Sequence, residues 1–257
     1  MNLLFIGDVV GKSGCDFLGS QIYSIKKEYG IDFTVVNGEN SAQGNGITFK
    51  SFDSLIRMGA DVVTTGNHCF KRKESVGLYD RYRDVLLRPA NFPAGVEGSG
   101  FTVIDKCPVK IAVVNLMGTL YMESLDNPFE KMDEILSGLD TPNIFVDFHA
   151  EATSEKKAMG FYLQGKVTAV MGTHTHVQTS DEVILPKSTA YITDVGMTGP
   201  ELSVLGVESE IIVRKLKYHT PVRFEESKNP PFINGVVVSF DEKSGKATNI
   251  TRIIRHK

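Results

Sequence analysis

The sequence predicts an α/β protein in which short β-rich runs alternate with helical patterns. Apolar runs, segments of helical spacing between them, and polar, glycine-containing endings recur along the first two-thirds of the chain. Continuous apolar strands separated by helices are typical of parallel strands that are covered on both faces. We therefore expect a largely parallel sheet in this part of the protein.

The individual elements follow from these patterns, in chain order. Six apolar runs are predicted strands: Leu3–Ile6, Phe33–Asn37, Asp61–Thr65, Lys110–Asn115, Asn143–Phe148 and Val167–Met171. Four segments with apolar residues at helical spacing are predicted helices: Phe17–Tyr29, Phe49–Met58, Pro128–Leu136 and Ser154–Leu163.

Two features depart from a simple alternation of strands and helices. Phe101–Asp105 and Val109–Asn115 flank a short turn at Cys107, which predicts an antiparallel pair. Near the end of the chain, Gly235–Phe240 and Ala247–Ile254 flank a polar turn and read as a β-hairpin. These pairs imply strands beyond the parallel core.

Length and charge limit the classes of function. The chain has 257 residues, with 28 Lys and Arg against 31 Asp and Glu, a net charge of −3. This balance excludes the strongly basic surface that binding to phosphate backbones requires, so long nucleic acid is not an expected partner. We find no internal repeat, low-complexity tract or linker, and expect one domain over residues 1–257.

The cysteines and the start of the chain indicate the cellular compartment. Cys15, Cys69 and Cys107 are odd in number and widely separated, which is typical of a reducing, intracellular environment with buried or incidental thiols. The apolar start ends at Gly7-Asp8 without a basic leader, so it reads as a first strand. No apolar run approaches the roughly 18–20 residues of a membrane helix. We expect a cytoplasmic protein that does not bind membranes.

Polar side chains follow five of the predicted strands. The residues at these strand ends are Asp8, Glu39, Asn40, Asn67, His68, His149, His174 and His176. In an open α/β sheet, ligands bind just beyond the carboxyl ends of the strands, so these side chains should converge on one rim. Glycines that precede several of them allow tight turns and a close approach of the backbone.

Taken singly, most of these residues have an ordinary structural explanation. Asp8 and Asn67 are typical of turns and helix caps, Glu39 of a solvated loop, and His149 of a packed core histidine. His174 and His176 fit this explanation less well, because in extended backbone residues two apart face the same side and suit metal binding. Together, the set is poorly explained by packing and predicts a metal site.

The donor types indicate the kind of metal site. Carboxylate, imidazole and amide donors without thiolates suit Mn, Fe or Zn rather than an iron–sulfur cluster. The set is larger than one ion usually needs and suits two ions roughly 3.5–4 Å apart that share a carboxylate. Such a pair generates a nucleophile at neutral pH and stabilises displacement at phosphorus.

A second motif at the first strand end resembles a phosphate-binding P-loop. The segment Gly7-Asp-Val-Val-Gly11-Lys12-Ser13 follows a strand, as a P-loop does. That motif needs four residues between its glycines, whereas here three are present, and no Walker-B partner is evident. The sequence therefore does not predict a P-loop nucleoside triphosphatase.

The combination of motifs resembles the calcineurin-like dinuclear metallophosphoesterases, and within them the YmdB-like branch associated with 2′,3′-cyclic-nucleotide 2′-phosphodiesterase activity. Five stretches carry the resemblance: Gly7-Asp-Val-Val-Gly-Lys, Thr64-Thr-Gly-Asn-His68, Arg88-Pro-Ala-Asn91, Val146-Asp-Phe-His-Ala-Glu-Ala-Thr-Ser-Glu-Lys156 and Gly172-Thr-His-Thr-His-Val-Gln178. The resemblance implies a four-layer sandwich of two packed β-sheets flanked by α-helices, with the metals at one sheet edge.

The resemblance also implies a role for each residue of the rim. Asp8 and His176 would hold the first ion, with Asn40 as a further candidate. Asn67, His149 and His174 would hold the second ion, and Glu39 would bridge both. By this likeness the ions are Fe or Mn, with Zn or Mg as alternatives.

The implied reaction is the hydrolysis of 2′,3′-cyclic nucleotides, with 3′,5′-cyclic nucleotides or another small phosphodiester as further substrates. A hydroxide bridging the ions would attack phosphorus, and His68 would donate a proton to the leaving oxygen or stabilise the transition-state charge. Thr173, Arg88 and Asn91 would line the phosphate pocket, with a surface or structural role as an equal alternative for Arg88.

Other functions stay open from the sequence alone. One is a regulatory protein that binds a nucleotide with slow or no turnover, and another is a phosphomonoesterase or nuclease on the same metal core. The basic run Lys71-Arg72-Lys73, with Arg81 and Arg83, is more typical of a solvated surface than of a nucleic-acid groove. A homo-oligomer is also compatible with the sequence.

The chain departs from the wider superfamily at several positions. Val10 stands where the superfamily has the histidine of an Asp-x-His motif, and Glu39 stands where it usually has an aspartate. Both departures are features of the YmdB-like branch. Cys15, where relatives often carry arginine, and the segment Cys69-Phe70-Lys71 bear on substrate preference rather than on metal binding.

Overall fold

The computed structural model describes residues 1–106 and 108–257, so Cys107 and the turn expected around it lie outside the described residues. The strands are β1 Asn2–Ile6, β2 Asp8–Val9, β3 Phe33–Asn37, β4 Val62–Thr64, β5 Phe101–Lys106, β6 Val109–Met117, β7 Ile144–His149, β8 Ala169–Thr173, β9 Val183–Ile184, β10 Ala190–Ile192, β11 Met197–Pro200, β12 Pro231–Phe240 and β13 Ala247–His256. The α-helices are α1 Gly11–Tyr29, α2 Phe49–Arg57, α3 Val76–Arg81, α4 Pro128–Gly138, α5 Thr153–Leu163 and α6 Ser209–Tyr218.

The first sheet contains β1 to β4 together with strands from the end of the chain. Its order is β2-β11-β12-β1-β3-β4, and β13 pairs with β12. Strands β1, β3 and β4 run parallel, whereas β12 is antiparallel to both β1 and β13. The register sets Ile6 beside Val36 and Asn37 beside Thr64. The carboxyl ends of β1, β3 and β4 therefore lie next to one another.

The second sheet has the order β5-β6-β7-β8-β10-β9. Strands β6, β7, β8 and β10 are parallel, and β5 and β9 pair antiparallel at the two edges. His149 at the end of β7 is in register with Thr173 at the end of β8. This sheet thus supplies a second set of adjacent strand ends.

The two sheets pack face to face, and helices cover their outer faces. Along β1, Leu3 and Phe5 belong to a buried cluster shared with the second sheet, whereas Leu4 and Ile6 pack in a cluster with α1 and α2. A third cluster fills the space between the second sheet and helices α4 and α5. Each fully buried side chain of this kind contributes about 1.5–3 kcal/mol to stability. The expectation of two sheets flanked by helices is confirmed.

The predicted elements match those of the structure most closely where burial is continuous. Strand β3 has the predicted bounds, and the antiparallel pair β5–β6 and the hairpin β12–β13 are both present. The sequence did not predict α3, α6 or the short strands β9 to β11. Helix α6 has no buried residues, so packing imposes no clear apolar pattern on it.

Helix α1 begins at Gly11, six residues before its predicted start. The carboxylate of Glu226 accepts hydrogen bonds from the backbone amides of Lys12 (3.2 Å) and Ser13 (2.9 Å). A carboxylate stabilises a helix at this end because it satisfies amides that have no partner within the helix. The amides that a P-loop would offer to phosphate are thus occupied by Glu226, in agreement with the rejection of that motif.

Across residues 1–106 and 108–257, none of the helices combines the length and the apolar character that crossing a bilayer requires.

Candidate metal centre

The strand ends of both sheets meet at one rim. Asp8 opens β2 directly after β1, Glu39 and Asn40 follow β3, and Asn67 and His68 follow β4. The second sheet contributes His149 as the last residue of β7, and His174 and His176 just after β8. The convergence expected from the sequence is present, because side chains from both groups contact one another.

His149 lies at the centre of these contacts. Its Nε2 atom is 3.0 Å from Oδ1 of Asn67, 3.2 Å from Oε1 of Glu39 and 3.0 Å from Nδ1 of His174. The ligand atoms of Glu39, His149 and His174 all lie within 4.8 Å of one another. His149 and Glu39 are almost completely buried, and His174 is partly exposed.

The chemistry of these donors fits a cation. Nε2 of His149 carries at most one hydrogen, so it cannot form a good hydrogen bond with the Asn67 oxygen, the Glu39 oxygen and the His174 nitrogen at the same time. A divalent ion accepts all of them at once, and carboxylate, imidazole and amide oxygen are suitable ligands for Mn, Fe or Zn. The residues present therefore fit a metal at this point.

A second group of donors lies beside the first. Nε2 of His176 is 3.9 Å from Oδ1 of Asp8 and 3.2 Å from the amide nitrogen of Asn40. Among the residues described, Oδ1 of Asp8 and Nδ1 of His176 are buried side-chain atoms without a hydrogen-bond partner. Buried polar atoms without partners are costly, and a bound ion offers Asp8 the missing interaction.

Burial and charge shift the pKa values of these groups strongly. Burial raises the pKa of Asp8 well above its ordinary value, although the positive charge of His149 opposes the shift. For Glu39, burial acts in the same direction, but the adjacent His149 outweighs it and lowers the pKa. Burial alone would lower the pKa of His149, yet Glu39 raises it to about 9. Burial lowers the pKa of His174 to about 3 and that of His176 to about 4, which keeps both imidazoles neutral and able to bind metal.

His68 is positioned beside this cluster and remains open to solvent. Its side chain is 29% exposed, and Nδ1 is 2.8 Å from Oδ1 of Asn40. Its backbone amide donates to Oε2 of Glu39 at 3.1 Å. Burial lowers the pKa of the His68 imidazole, while the Glu39 carboxylate opposes this. The Asn40 oxygen orients the ring, so Nε2 is the nitrogen available for proton transfer.

The loop after β8 corrects one structural expectation. His174 and His176 do not lie in extended backbone, because their φ angles are +105° and +65°. Such left-handed conformations are strained for residues other than glycine and persist only when neighbouring contacts hold them. The two imidazoles reach the rim from a tight loop rather than from one face of a strand.

A buried ion pair holds this loop. Asp194 accepts hydrogen bonds from the Thr175 amide (3.0 Å), the Thr175 hydroxyl (2.8 Å) and Nζ of Lys156 (2.6 Å), and both charged side chains are inaccessible to solvent. Lys156 neutralises the charge of Asp194, which allows the carboxylate to remain ionised in the interior. The same carboxylate anchors Thr175, which lies between the two histidines in the sequence. Neither residue was predicted from the sequence to belong to the site.

Gly66 is required by the close packing at the centre. A β-carbon at this position would lie 2.2 Å from the ring of His149. Any larger residue would displace that ring from Glu39 and Asn67. This explains in physical terms why a glycine precedes the Asn67-His68 pair.

The three residues expected at the phosphate pocket lie in buried polar networks. Thr173 is fully buried, and its hydroxyl is 2.9 Å from Nδ1 of His149. The Arg88 guanidinium donates to backbone carbonyls, including those of Pro89 (2.8 Å) and Val96 (3.1 Å). Buried Asn91 donates to the carbonyls of Met117 and Asp126. Thr173 therefore contacts a candidate ligand, whereas Arg88 and Asn91 hold loops.

Two further carboxylates lie at the site without having been predicted from the sequence. Oε2 of Glu151 is 3.1 Å from Nε2 of His174, on the side of the ring away from His149. Oδ1 of Asp147 accepts the hydroxyl of Thr173 at 2.7 Å. A signal for Asp147 exists in the sequence, because it stands two residues before His149 on a strand and shares its face.

The chain is similar to known proteins over nearly its whole length. A family model described as "YmdB-like protein" matches residues 4–253. The chain is 48% identical to the 2′,3′-cyclic-nucleotide 2′-phosphodiesterase of Bacillus subtilis (strain 168), over 99% of this chain and 97% of that protein.

Two solved structures have nearly the same fold. A hypothetical protein from Thermus thermophilus has a TM-score of 0.94 and 36% identity, with 100% of both chains covered. A structure described as a novel phosphatase from Mycoplasma pneumoniae also has a TM-score of 0.94, with 34% identity over 100% of this chain and 93% of that one.

Proposed function

This chain belongs to the YmdB-like protein family, and we propose that it is a phosphodiesterase with two divalent metal ions that hydrolyses 2′,3′-cyclic nucleotides. The observation that carries the proposal is the convergence of Glu39, Asn67 and His174 on Nε2 of His149. These donor atoms can all bind one cation, whereas they cannot all form hydrogen bonds with that nitrogen. The fold we propose is the calcineurin-like metallophosphoesterase sandwich, with residues 1–257 as one domain.

The ligand assignment follows the two groups of donors. Asn67, His149 and His174 hold one ion, Asp8 and His176 hold the other, and Glu39 lies between them as the bridging carboxylate. Asn40 is placed to orient His68, although its side chain also contacts His176. The donor set favours Fe or Mn, with Zn or Mg as alternatives. When bound, the ions lower the pKa of water and neutralise charge on the phosphoryl oxygens.

The residues of the chain position the substrate and move its protons. His68, partly exposed and oriented through Nδ1, presents Nε2 to the leaving ribose oxygen and donates a proton to it. Burial lowers the pKa of His68, which makes its imidazolium form a stronger acid but also reduces the fraction of that form at neutral pH. Glu39 contacts His149 through Oε1 and accepts the His68 amide through Oε2, so one carboxylate positions a metal donor and the proton donor relative to each other.

A panel of substrates tests this function. We expect metal-loaded protein to hydrolyse 2′,3′-cyclic AMP faster than 3′,5′-cyclic AMP, a nucleoside monophosphate or a single-stranded RNA. Steady-state rates with each substrate, after loading with Mn²⁺ or Fe²⁺, give the order directly. Binding of the cyclic nucleotide with no turnover would indicate a regulatory protein instead, and faster cleavage of the monoester or the RNA would indicate a phosphomonoesterase or nuclease.

Metal uptake is expected to release protons at neutral pH. Because the pKa of His149 is raised to about 9, its imidazole carries a proton on Nε2 at pH 7 in metal-free protein. A metal ligand must be deprotonated, so Mn²⁺ binding displaces this proton together with the proton on Asp8, whose pKa burial also raises. Affinity therefore rises about tenfold per pH unit for each proton displaced, levelling off above the pKa. Calorimetry of Mn²⁺ binding in buffers of different ionisation enthalpy measures the number of protons released.

A control variant tests whether the displaced protons come from the rim and not from a histidine elsewhere on the surface. His256 is 60% exposed and lies outside the rim, so His256→Ala should release the same number of protons as the wild type. Metal binding at pH 7 without proton release would contradict the assignment of His149 as a ligand.

A further inference from the structure

We propose that Asp147 is a positioning residue, which acts through the hydroxyl of Thr173 to fix the tautomer and orientation of His149 at the metal centre. This inference rests on the proposed function, since it concerns how one of the metal ligands is held. It gives a role to a buried carboxylate that does not itself reach the donor cluster around Nε2 of His149.

Three groups form a continuous chain of hydrogen bonds beneath the rim. Oδ1 of Asp147 is 2.7 Å from the Thr173 hydroxyl, and the same hydroxyl is 2.9 Å from Nδ1 of His149. The opposite nitrogen of that ring, Nε2, faces Glu39 and Asn67. Strands β7 and β8 hold these groups side by side, because His149 and Thr173 are in register.

The number of hydrogens determines the direction of the chain. A hydroxyl has one hydrogen, and Thr173 donates it to the Asp147 carboxylate, which only accepts when ionised. The Thr173 oxygen can then only accept from Nδ1 of His149, so this nitrogen carries the hydrogen. Nε2 is left with its lone pair directed at the metal position. Histidine ligands are commonly held in this way through the nitrogen that does not bind metal.

The other oxygen of Asp147 ties this chain of bonds to the first sheet. Oδ2 accepts from Nδ2 of Asn37 at 2.9 Å and from the Thr64 hydroxyl at 2.5 Å. Asn37 and Thr64 end β3 and β4, the strands that precede Glu39 and Asn67. Asp147 therefore sets the position of His149 relative to donors that arrive from the opposite sheet. All these groups are fully buried, so no water competes for the bonds.

Substitutions at Thr173 test the proposal. Thr173→Val keeps the shape of the side chain but removes the acceptor for Nδ1, whereas Thr173→Ser keeps the hydroxyl. The matched control is Thr34→Val. Thr34 lies in the first sheet and is buried like Thr173, but its hydroxyl has no hydrogen-bond partner among the described residues. Should Thr173→Val fold poorly in a thermal melt, Thr173→Ala serves in its place.

Two readouts distinguish a positioning role from a structural one. The first is Zn²⁺ affinity of each variant, measured by competition with a chelator. The second is the ¹⁵N–¹H correlation spectrum of the imidazoles in Zn²⁺-loaded protein, which shows the nitrogen of His149 that carries hydrogen. Loss of a hydrogen-bond partner to a metal ligand typically weakens metal binding about 10–100-fold.

We expect Thr173→Val to lose about 10–100-fold in Zn²⁺ affinity and to lose the single Nδ1–H tautomer of His149. Thr173→Ser and Thr34→Val should retain both properties. If Thr173→Val binds Zn²⁺ as tightly as the wild type and keeps Nδ1–H, this inference is wrong while the proposed function stands. If the wild type binds no metal, the proposed function fails and the inference fails with it.

Discussion

Replacing Glu39 by alanine is expected to remove bound metal and phosphodiesterase activity together. The Glu39 carboxylate lies between the two groups of donors at the site. Its Oε1 lies 3.2 Å from Nε2 of His149 and 3.2 Å from the amide nitrogen of Asn40, which in turn contacts His176. Its Oε2 accepts the backbone amide of His68.

The size of the effect follows from what the ions contribute. Metal ions stabilise the transition state of phosphoryl transfer by several kcal/mol, which corresponds to a loss of about 10³-fold or more in kcat/KM. The bridging position makes the loss larger than at a ligand of one ion only. In the metal-free variant, the positive charge on His149 would also lose its nearest carboxylate. Glu39→Gln should be measured beside Glu39→Ala, because it removes the same charge but keeps the volume of the side chain.

Metal content by mass spectrometry and turnover of 2′,3′-cyclic AMP should be measured on the same preparations. Glu134→Ala is the matched control, because Glu134 is a carboxylate whose side chain is 71% exposed on helix α4. It should leave both quantities unchanged. Wild-type metal content together with full activity in Glu39→Ala would contradict the proposed centre.

Replacing His68 is expected to lower the rate while the metal stays bound. The His68 ring contacts Asn40 through Nδ1 and is absent from both groups of metal donors. Loss of a general acid typically costs about 10²–10⁴-fold in rate. We expect His68→Ala to show such a loss on 2′,3′-cyclic AMP, with metal content equal to that of the wild type.

The leaving group provides a sharper measurement of the same role. A ribose oxygen needs a proton as it departs, whereas a nitrophenolate leaves readily without one. The loss in His68→Ala should therefore be much smaller with bis-(p-nitrophenyl) phosphate than with the cyclic nucleotide. Equal losses on the two substrates would indicate that His68 stabilises charge rather than donating a proton, and His256→Ala is the control.

The sequence predicted the parts of the fold and site that depend on local pattern. Strand β3 was predicted with its observed bounds because all of its residues are buried. The sequence also predicted that the polar residues at the strand ends lie close together, since parallel strands of one sheet end at the same edge. The pairing of Asn67 with His149 across the two sheets came from the resemblance and not from the pattern.

Features that depend on distant parts of the chain could not be predicted in this way. The start of α1 depends on Glu226, and on the contact of Gly14 with the backbone of β11, where a β-carbon would lie 2.3 Å from the Thr198 oxygen. The conformation of His174 depends on the loop that the buried Lys156–Asp194 pair holds.

The phosphate-pocket residues illustrate the same limit. The role of an aspartate or a threonine in a strand cannot be predicted until the residues that surround it in the fold are known. Thr173 was expected to contact the substrate, but its hydroxyl lies between Asp147 and His149. Arg88 was expected either beside it or in a structural role, and its guanidinium donates to backbone carbonyls, in agreement with the structural role. These placements depend on the groups that the fold brings beside each side chain.

The position of the metals tests the central claim most directly. Crystals of the protein grown with Mn²⁺ and measured at the manganese absorption edge should show two anomalous peaks about 3.5–4 Å apart. One peak should lie beside Asp8 and His176, the other beside Asn67, His149 and His174, with Glu39 between them. No peak at this rim, or only one peak there at saturating Mn²⁺, would contradict the two-metal centre.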